Sequence, residues 1–302
     1  MHVLVTGSHG LIGSALTSAL RARGDTVTVL IRDGAVRTSE DVAWSPSDGT
    51  IDRAALRARG PIDGVVNLAG AGIADRRWTP ARKTEILSSR VDSTDLIVRE
   101  IGQLEVVPRV LVNASAIGFY GDRGAEVLTE QSGPGSGFLA DVCREWERSA
   151  AGAPCRTVLL RTGIVLSREG GTLGKLLPLV RAGVAGQFST GEQYMSWITL
   201  DDEISCILAL LDGAAAGVEG PVNATAPMPV TNAAFVRALG HAAHRPTFLR
   251  VPGAALKLAL GRELAEAAIL SSLRVVPAAL LEVPGFAFQH PTLSAALSSL
   301  FR

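Results

Sequence analysis

The sequence predicts an α/β fold with a doubly wound parallel sheet and a smaller C-terminal lobe. Short apolar runs at Val3–Val5, Ile62–Val66 and Val110–Val112 alternate with stretches of helical spacing, a pattern typical of strands that are buried on both faces of a parallel sheet. From about residue 170 the chain turns to segments rich in leucine, alanine and glycine, which indicates a second lobe. With 302 residues, the chain is long enough for both.

The first element is a strand that runs through a glycine turn into a helix. Glycines there allow a tight turn and close approach to a pyrophosphate, while the helix N-terminus offers free N–H groups. The spacing is GxxGxxG, and a purely structural turn is the alternative. We therefore predict a Rossmann-like fold with a cofactor-binding turn formed by Gly7, Ser8, Gly10, Leu11, Ile12 and Gly13.

The second strand, Thr26–Ile31, completes a βαβ unit and is followed by Arg32. In this fold an acid at that place binds the adenosine ribose 2′-hydroxyl, whereas an arginine accommodates a 2′-phosphate. With Arg37 close by, Arg32 favours NADP(H) over NAD(H). The alternative is that both arginines are merely solvated loop residues.

The next buried run ends in the small residues Leu68, Ala69 and Gly70, where a bulky side chain would obstruct a ligand at the sheet edge. We predict a second cofactor segment there, with a tight strand-to-loop turn as the alternative. A loop carrying Trp78 then leads into a helix over 81–101. Arg90 on that helix is predicted to act electrostatically or structurally near the sheet, in contact with the cofactor.

The strand that begins at Val110 exits through a loop that holds the most suggestive polar pair, Ser115 and Tyr120. Ligands of open parallel sheets lie outside the carboxyl ends of the strands, so both side chains are expected to face the nicotinamide end of a cofactor. A serine hydroxyl can polarise a carbonyl, and a tyrosine can transfer a proton. We predict that these two residues are catalytic.

The amino-acid composition argues against several classes of function. Lysine plus arginine (29) equals aspartate plus glutamate (29), which argues against nucleic acid or an anionic membrane as partner. No apolar run reaches membrane-spanning length and no leader pattern precedes the first strand, so a cytoplasmic location is expected. Three scattered cysteines and the spacing of His241 and His244 indicate neither a disulfide framework nor a metal site.

Several segments in order resemble the atypical, epimerase-like branch of the extended short-chain dehydrogenase/reductases. The segments are Thr6–Gly13, Arg77–Thr79, Ser89–Val91, Ser115–Gly121, Gly137–Ala140, Arg161–Ser167, Ser196–Ile198 and Asn223–Pro227. The resemblance implies that Ser115 and Arg161 also contact the cofactor. It further implies that Trp78, Tyr120 and Trp197 contact the substrate.

The resemblance also exposes a difference. Most members of that superfamily carry a tyrosine four residues before a lysine on the helix after the Ser115 loop. The matching positions here are Phe138 and Val142, and neither side chain can move a proton. Proton chemistry then falls to Ser115, Tyr120 or a residue of the second lobe.

We expect a dinucleotide-binding domain at 1–167, rejoined by 190–225, and a smaller substrate lobe at 168–189 and 226–302, with the substrate cleft between them. Two functions fit. One is an NADP(H)-dependent oxidoreductase or epimerase-like enzyme acting on a carbonyl or alcohol; the other is a non-catalytic NADP(H)-binding sensor or regulator. A small-molecule substrate is expected, and a homodimer is left open.

Overall fold

The computed structural model describes residues 1–32, 38 and 40–301 as alternating strands and helices. The strands are β1 (His2–Thr6), β2 (Thr26–Arg32), β3 (Asp41–Ser45), β4 (Thr50–Ile51), β5 (Gly64–Asn67), β6 (Val110–Ala116), β7 (Val127–Leu128), β8 (Arg156–Thr162), β9 (Ile164–Leu166), β10 (Gly186–Phe188), β11 (Tyr194–Met195), β12 (Trp197–Thr199), β13 (Gly220–Ala224), β14 (Val230–Thr231), β15 (Leu249–Val251) and β16 (Arg274–Val275).

The helices connect these strands and cover the sheet. They are α1 (Leu11–Ala22), α2 (Arg53–Ala58), α3 (Pro80–Ile101), α4 (Phe138–Ala150), α5 (Gly171–Arg181), α6 (Leu200–Leu211), α7 (Asn232–Ala242), α8 (Gly253–Leu260), α9 (Arg262–Leu264), α10 (Ala278–Leu281) and α11 (Leu293–Leu300). Short 3-10 turns lie at Pro46–Asp48, Ile117–Tyr120 and Gly213–Ala215, and a π-helical turn lies at Ala265–Ile269.

Eight strands form the main sheet in the order β13-β8-β6-β5-β1-β2-β3-β4. All neighbouring pairs are parallel except β3 with β4. The chain moves outward from β1 in both directions, so the crevice for a ligand is expected at the carboxyl end of β1. This architecture confirms the predicted doubly wound, Rossmann-like α/β fold.

The apolar strands are buried because helices pack on both faces of the sheet. Successive residues of β1 point to opposite faces: Val3 and Val5 join the core under α1 and α6, whereas Leu4 joins the core under α3. A third apolar cluster, with Leu173, Phe235 and Leu297, lies among α5, α7 and α11.

The division of the chain into two lobes stays a prediction, but one departure from its boundaries is visible. Leu280 and Val283, which were assigned to the smaller lobe, belong to the apolar core of the main sheet. The chain after β16 therefore returns to that sheet beside β13.

Two kinds of feature are absent from the described residues. No helix within them combines the length and apolarity that crossing a membrane requires. The same residues contain no group of three or more histidine, cysteine, aspartate or glutamate side chains that could hold a metal ion.

Candidate functional site

The turn between β1 and α1 is packed so tightly that Gly7 and Gly13 have to be glycines even when no ligand is bound. Gly7 has φ of +66°, and a Cβ on Gly13 would lie 2.2 Å from the Gly7 carbonyl oxygen. The Gly7 carbonyl accepts from Gly10 N–H at 3.0 Å. Because α1 begins without a capping side chain or an acid in its first turn, its N–H groups are available to an anion.

Gly10 is packed less tightly than Gly7 and Gly13. A Cβ there would meet only the Gly7 carbonyl oxygen, at 3.3 Å, and the backbone is extended. Gly10 is exposed, with half-buried Ser8, Leu11 and Ile12 around it. The open side of the turn is thus free for a ligand to approach the backbone, so these residues fit a dinucleotide phosphate.

The turn after β5 is fixed directly beside this first turn. The Thr6 hydroxyl donates to Asn67 Oδ1 at 2.7 Å and accepts from the N–H groups of Leu68 and Ala69 at 3.0 and 3.1 Å. A Cβ on Gly7 would lie 2.6 Å from the Leu68 carbonyl oxygen. The structure therefore brings together the two segments that were predicted to bind the cofactor.

Arg32 is the last residue of β2 and is exposed at the same edge of the sheet. Across from it on α3 is Glu85, whose pKa is lowered chiefly by its bond with Arg82, with smaller contributions from the charges of Arg76 and Arg32. Arg32 thus lies near a group of charged side chains that includes Arg76, Arg82 and Glu85. Arg37 lies outside the described residues.

Arg90 lies at the exit of β5. Its Cζ would be 3.2 Å from a Cβ on Gly70 and is 5.0 Å from the Trp146 ring centroid. Its Nη1 donates to the Ile86 carbonyl at 2.9 Å. Burial lowers the pKa of this guanidinium.

Ser115 and Tyr120 belong to a buried polar network and do not face a ligand. Ser115 Oγ donates to Glu147 Oε1 at 2.6 Å. The Tyr120 hydroxyl donates to Asn223 Oδ1 at 2.7 Å and accepts from Arg161 Nη1 at 3.0 Å. Tyr120 is 0% exposed, and burial raises its pKa.

In this structure the two hydroxyls do not point toward the place expected for a nicotinamide, and their catalytic role stays a prediction. After β6 the chain forms the 3-10 turn Ile117–Tyr120, which turns the Tyr120 ring into the core. Arg161 is likewise engaged by Glu147 and is 4% exposed, so it is not placed to contact a cofactor. Nothing in the local sequence indicates these partners, because they come from α4, β8 and β13.

Trp197 is also corrected. It is 0% exposed, lies in the apolar cluster among α5, α7 and α11, and donates from Nε1 to the Met228 carbonyl at 3.2 Å. It cannot touch a substrate in this arrangement.

Trp78, by contrast, is half-buried at the carboxyl edge of the sheet. Its ring meets Phe138 edge to face with centroids 4.9 Å apart, and Lys83 Nζ lies 4.7 Å from the Phe138 centroid. In the sequence, Phe138 was singled out only because it stands where a tyrosine is usual. The contact of Phe138 with Trp78 was not predicted. These three side chains form an aromatic and cationic surface next to the two turns.

The C-terminal part of the chain lies against this surface. Lys83 Nζ forms an ion pair with Glu263 at 2.6 Å. Arg77 donates to the carbonyls of Leu258 and Ala259 at the end of α8. The loop that carries Trp78 is thus attached to α8 and α9.

Comparison with known proteins gives matches along almost the whole chain. A model described as the NAD dependent epimerase/dehydratase family matches residues 3–224, and a model of a domain of unknown function, DUF1731, matches residues 251–300. An epimerase family protein of Mycobacterium bovis is 43% identical over 298 residues, which cover 98% of this chain and 96% of that protein.

Solved structures also match almost the whole chain. The human epimerase family protein SDR39U1 (isoform 2), crystallised with NADPH, has a TM-score of 0.89 and 32% identity, covering 100% of this chain and 99% of that one. The enzyme WbmG of Bordetella bronchiseptica, in complex with NAD and UDP, has a TM-score of 0.77 but 15% identity, covering 99% of this chain and 93% of that one, which is a likeness of fold alone.

Proposed function

The chain belongs to the NAD dependent epimerase/dehydratase family, and from this premise we propose that it binds NADP(H) and uses it for hydride transfer with a carbonyl or alcohol substrate. The observation that carries the proposal is the β1–α1 turn, where Gly10 is exposed on the ligand side and α1 begins with N–H groups that no side chain caps. A phosphate at this place would receive the free N–H groups of α1.

The preference for NADP(H) over NAD(H) is supported by two observations. Arg32 ends β2 where a dinucleotide with an unmodified ribose would need an acid. The human relative, at 32% identity, was crystallised with NADPH.

The protein's part in the reaction is to hold and orient the reactants, while the bound dinucleotide supplies or accepts the hydride. Trp78 and Phe138 offer an aromatic wall for a substrate beside the two turns, and Lys83 is the ionisable group next to it. Ser115 and Tyr120 are part of the buried polar network at the edge of the sheet, and we assign them no chemical step.

A second function, binding of NADP(H) as a sensed ligand without turnover, is favoured by one specific observation. The two hydroxyls best suited to proton transfer, on Ser115 and Tyr120, are fully engaged by Glu147 and Asn223. A protein that binds NADP(H) as a sensed ligand needs no such hydroxyl at its surface.

Calorimetric titration with NADPH tests the binding step. Gly10→Ala should fold with a shift of a few tenths of an ångström at the Gly7 carbonyl, but bind NADPH at least about tenfold more weakly, since its methyl group occupies ligand space. Gly133→Ala is the control, because Gly133 is exposed and no described atom lies within 4 Å of a Cβ there. Normal binding by Gly10→Ala would mean that the ligand lies elsewhere.

A screen of aldehydes, ketones, quinones and activated enones with NADPH then separates the two functions. Oxidation of NADPH by any of them supports the enzyme. Tight binding of NADPH with an empty screen supports the sensor.

A further inference from the structure

The segment that contains α7 and β15 carries basic side chains and no acidic ones. Between Glu219 and Glu263 the sequence has four arginines, one lysine and two histidines, although acids and bases balance over the whole chain. α7 packs mainly against β10, β11, β14 and α11, and none of these four elements contains an acid. The neighbouring elements therefore do not neutralise the positive charge of α7.

Two surface cavities lie where this segment folds back on α7. Their volumes are about 290 and 440 Å³, and they adjoin, since Arg237 and Thr247 line both. Thr247 packs directly on Gly240, where a Cβ would lie 2.7 Å from the threonine hydroxyl. We call the two cavities together the α7 groove. Its size suits a small organic molecule, and none of its lining side chains is acidic.

Two arginines give the groove an uncompensated positive charge. Arg245 is oriented by backbone oxygens alone: its Nε donates to the Arg181 carbonyl at 3.1 Å and its Nη1 to the His244 carbonyl at 3.3 Å. The Arg237 side chain makes no hydrogen bond or ion pair with any residue that the structure describes. Guanidinium groups in a concave surface of one sign attract anions, and their forked donors match the oxygens of a phosphate or carboxylate.

His244 occupies a backbone position that is usual for glycine. α7 ends with the Arg245 N–H bonded to the Gly240 carbonyl at 2.9 Å, and His244, one residue earlier, has φ of +52°. This left-handed conformation is less favourable for a residue with a Cβ than for glycine. The histidine ring lines the larger cavity, so the unusual conformation places a third group that is able to carry positive charge beside the two arginines.

The smaller cavity has a different character. It is lined by Phe248, whose side chain is 78% exposed, and by Ala233 and Val236 of α7. An exposed phenylalanine ring offers a face or an edge to a flat ring of a ligand. The α7 groove thus has an aromatic end and a cationic end, with Arg237 between them.

We propose that the α7 groove binds a small aromatic anion, with the charged group on Arg237, Arg245 and His244 and the ring against Phe248. A phosphate ester and a carboxylate share this chemistry. The groove is separate from the β1–α1 turn, because none of its lining residues belongs to the candidate site described above. The inference therefore does not depend on the proposed function.

Calorimetric titration of the full chain at low salt tests the cationic end, with phenyl phosphate and benzoate as probes. Arg237→Gln should weaken the tighter of the two probes by about tenfold or more, because a charge-assisted contact is lost. Arg57→Gln is the matched control: Arg57 is exposed on α2 and its side chain likewise has no hydrogen-bond or ion-pair partner in the described chain. Its affinity for the probe should equal that of wild type.

Inorganic phosphate, which has no ring, tests the aromatic end. Wild-type protein should bind phenyl phosphate about three- to tenfold more tightly than inorganic phosphate. Phe248→Ala should remove this difference and leave the affinity for inorganic phosphate unchanged. Leu258→Ala, at a side chain that is 79% exposed, is the control and should keep the difference.

Tighter binding of phenyl phosphate or of benzoate identifies the charged group of the ligand and supports the site in either case. A wild-type protein that binds neither probe with a Kd below about 10 mM would overturn the inference. So would wild-type affinity in Arg237→Gln, or an equal loss in Arg57→Gln, since the attraction would then be unspecific. Displacement of the probe by NADPH would place it at the dinucleotide turn and overturn the inference as well. Failure to bind NADPH, with phenyl phosphate still bound, would contradict the proposed function alone.

Discussion

The guanidinium of Arg161 forms a two-pronged ion pair with the carboxylate of Glu147, with both N–H···O distances at 2.8 Å and both side chains buried. Ser115 adds a hydrogen bond to the carboxylate, and Tyr120 accepts one from the guanidinium. The network joins β6, α4 and β8 at the carboxyl edge of the sheet. The network therefore stabilises the edge of the sheet at which the candidate site lies.

Glu147→Gln should destabilise the protein strongly, because it leaves the buried Arg161 charge without a counter-charge. Removal of one partner of a buried pair costs about 3–5 kcal/mol. Glu145→Gln on the same helix is the control: Glu145 pairs with Arg148 at the exposed surface, where a pair contributes about 0–1 kcal/mol. Urea unfolding of both variants measures the difference, and equal stabilities would contradict the structural role of the network.

Tyr120→Phe should lower stability while sparing catalysis. The variant leaves the buried Asn223 amide and an Arg161 N–H short of a partner, at a cost of about 1–3 kcal/mol. Turnover on any substrate found should fall by less than about tenfold, whereas loss of a positioned acid costs about 10²-fold or more. Tyr194→Phe, at a half-buried ring that packs on Arg274, is the matched control. A hundredfold loss of kcat at unchanged stability would return Tyr120 to a catalytic role.

The parts of the site that could be predicted from the sequence are those fixed by backbone and topology. The glycine turn and the Leu68–Gly70 turn each directly follow a buried apolar strand, and Arg32 ends one. Parallel strands bring their carboxyl ends to one edge, so local pattern and fold class together suffice to place these residues near one another.

The orientation of side chains could not be predicted in the same way. Whether the Tyr120 hydroxyl faces a ligand depends on a one-turn helix and on Asn223, which is 103 positions away in the chain. The burial of Trp197 depends on the apolar cluster that α5, α7 and α11 form around it. Such long-range partners leave no periodic signal in the sequence.

Gly13→Ala should destabilise the β1–α1 turn as well as abolish cofactor binding. The new Cβ would lie 2.2 Å from the Gly7 carbonyl oxygen, so backbone has to shift, and overpacking of this kind costs about 1–3 kcal/mol or more. In Gly174→Ala, inside α5, the nearest atom is 3.8 Å away, and alanine should be neutral or stabilising by about 0.5–1 kcal/mol. Denaturant unfolding distinguishes the two, and a Gly13→Ala protein as stable as Gly174→Ala would show that the turn is not close-packed.

Glu203 gives the protein a pH-dependent stability. Its carboxylate, on α6, is fully buried and accepts one hydrogen bond, from Thr162 Oγ1 at 2.8 Å, while Oε2 has no partner in the described part of the chain. Burial raises the pKa of Glu203 from the ordinary value of 4.5 to about 8, against the opposing effect of the Thr162 bond. Between these two pH values the unfolded chain releases a proton that the folded protein keeps, so the contribution of Glu203 to stability falls as pH rises.

Glu203→Gln removes this titration and keeps a side chain of the same size. The free energy of unfolding of the variant minus that of wild type should therefore increase from about pH 5 to about pH 8, by on the order of a few kcal/mol, and then level off. Asp201→Asn, at the exposed first turn of the same helix, should show no such rise. Urea unfolding at about pH 5, 7 and 9 provides the measurement, and subtraction of the wild-type curve removes the titration of all other groups. A difference that stays constant over this range would mean that Glu203 ionises at its ordinary pKa, and that water reaches the carboxylate in the folded protein.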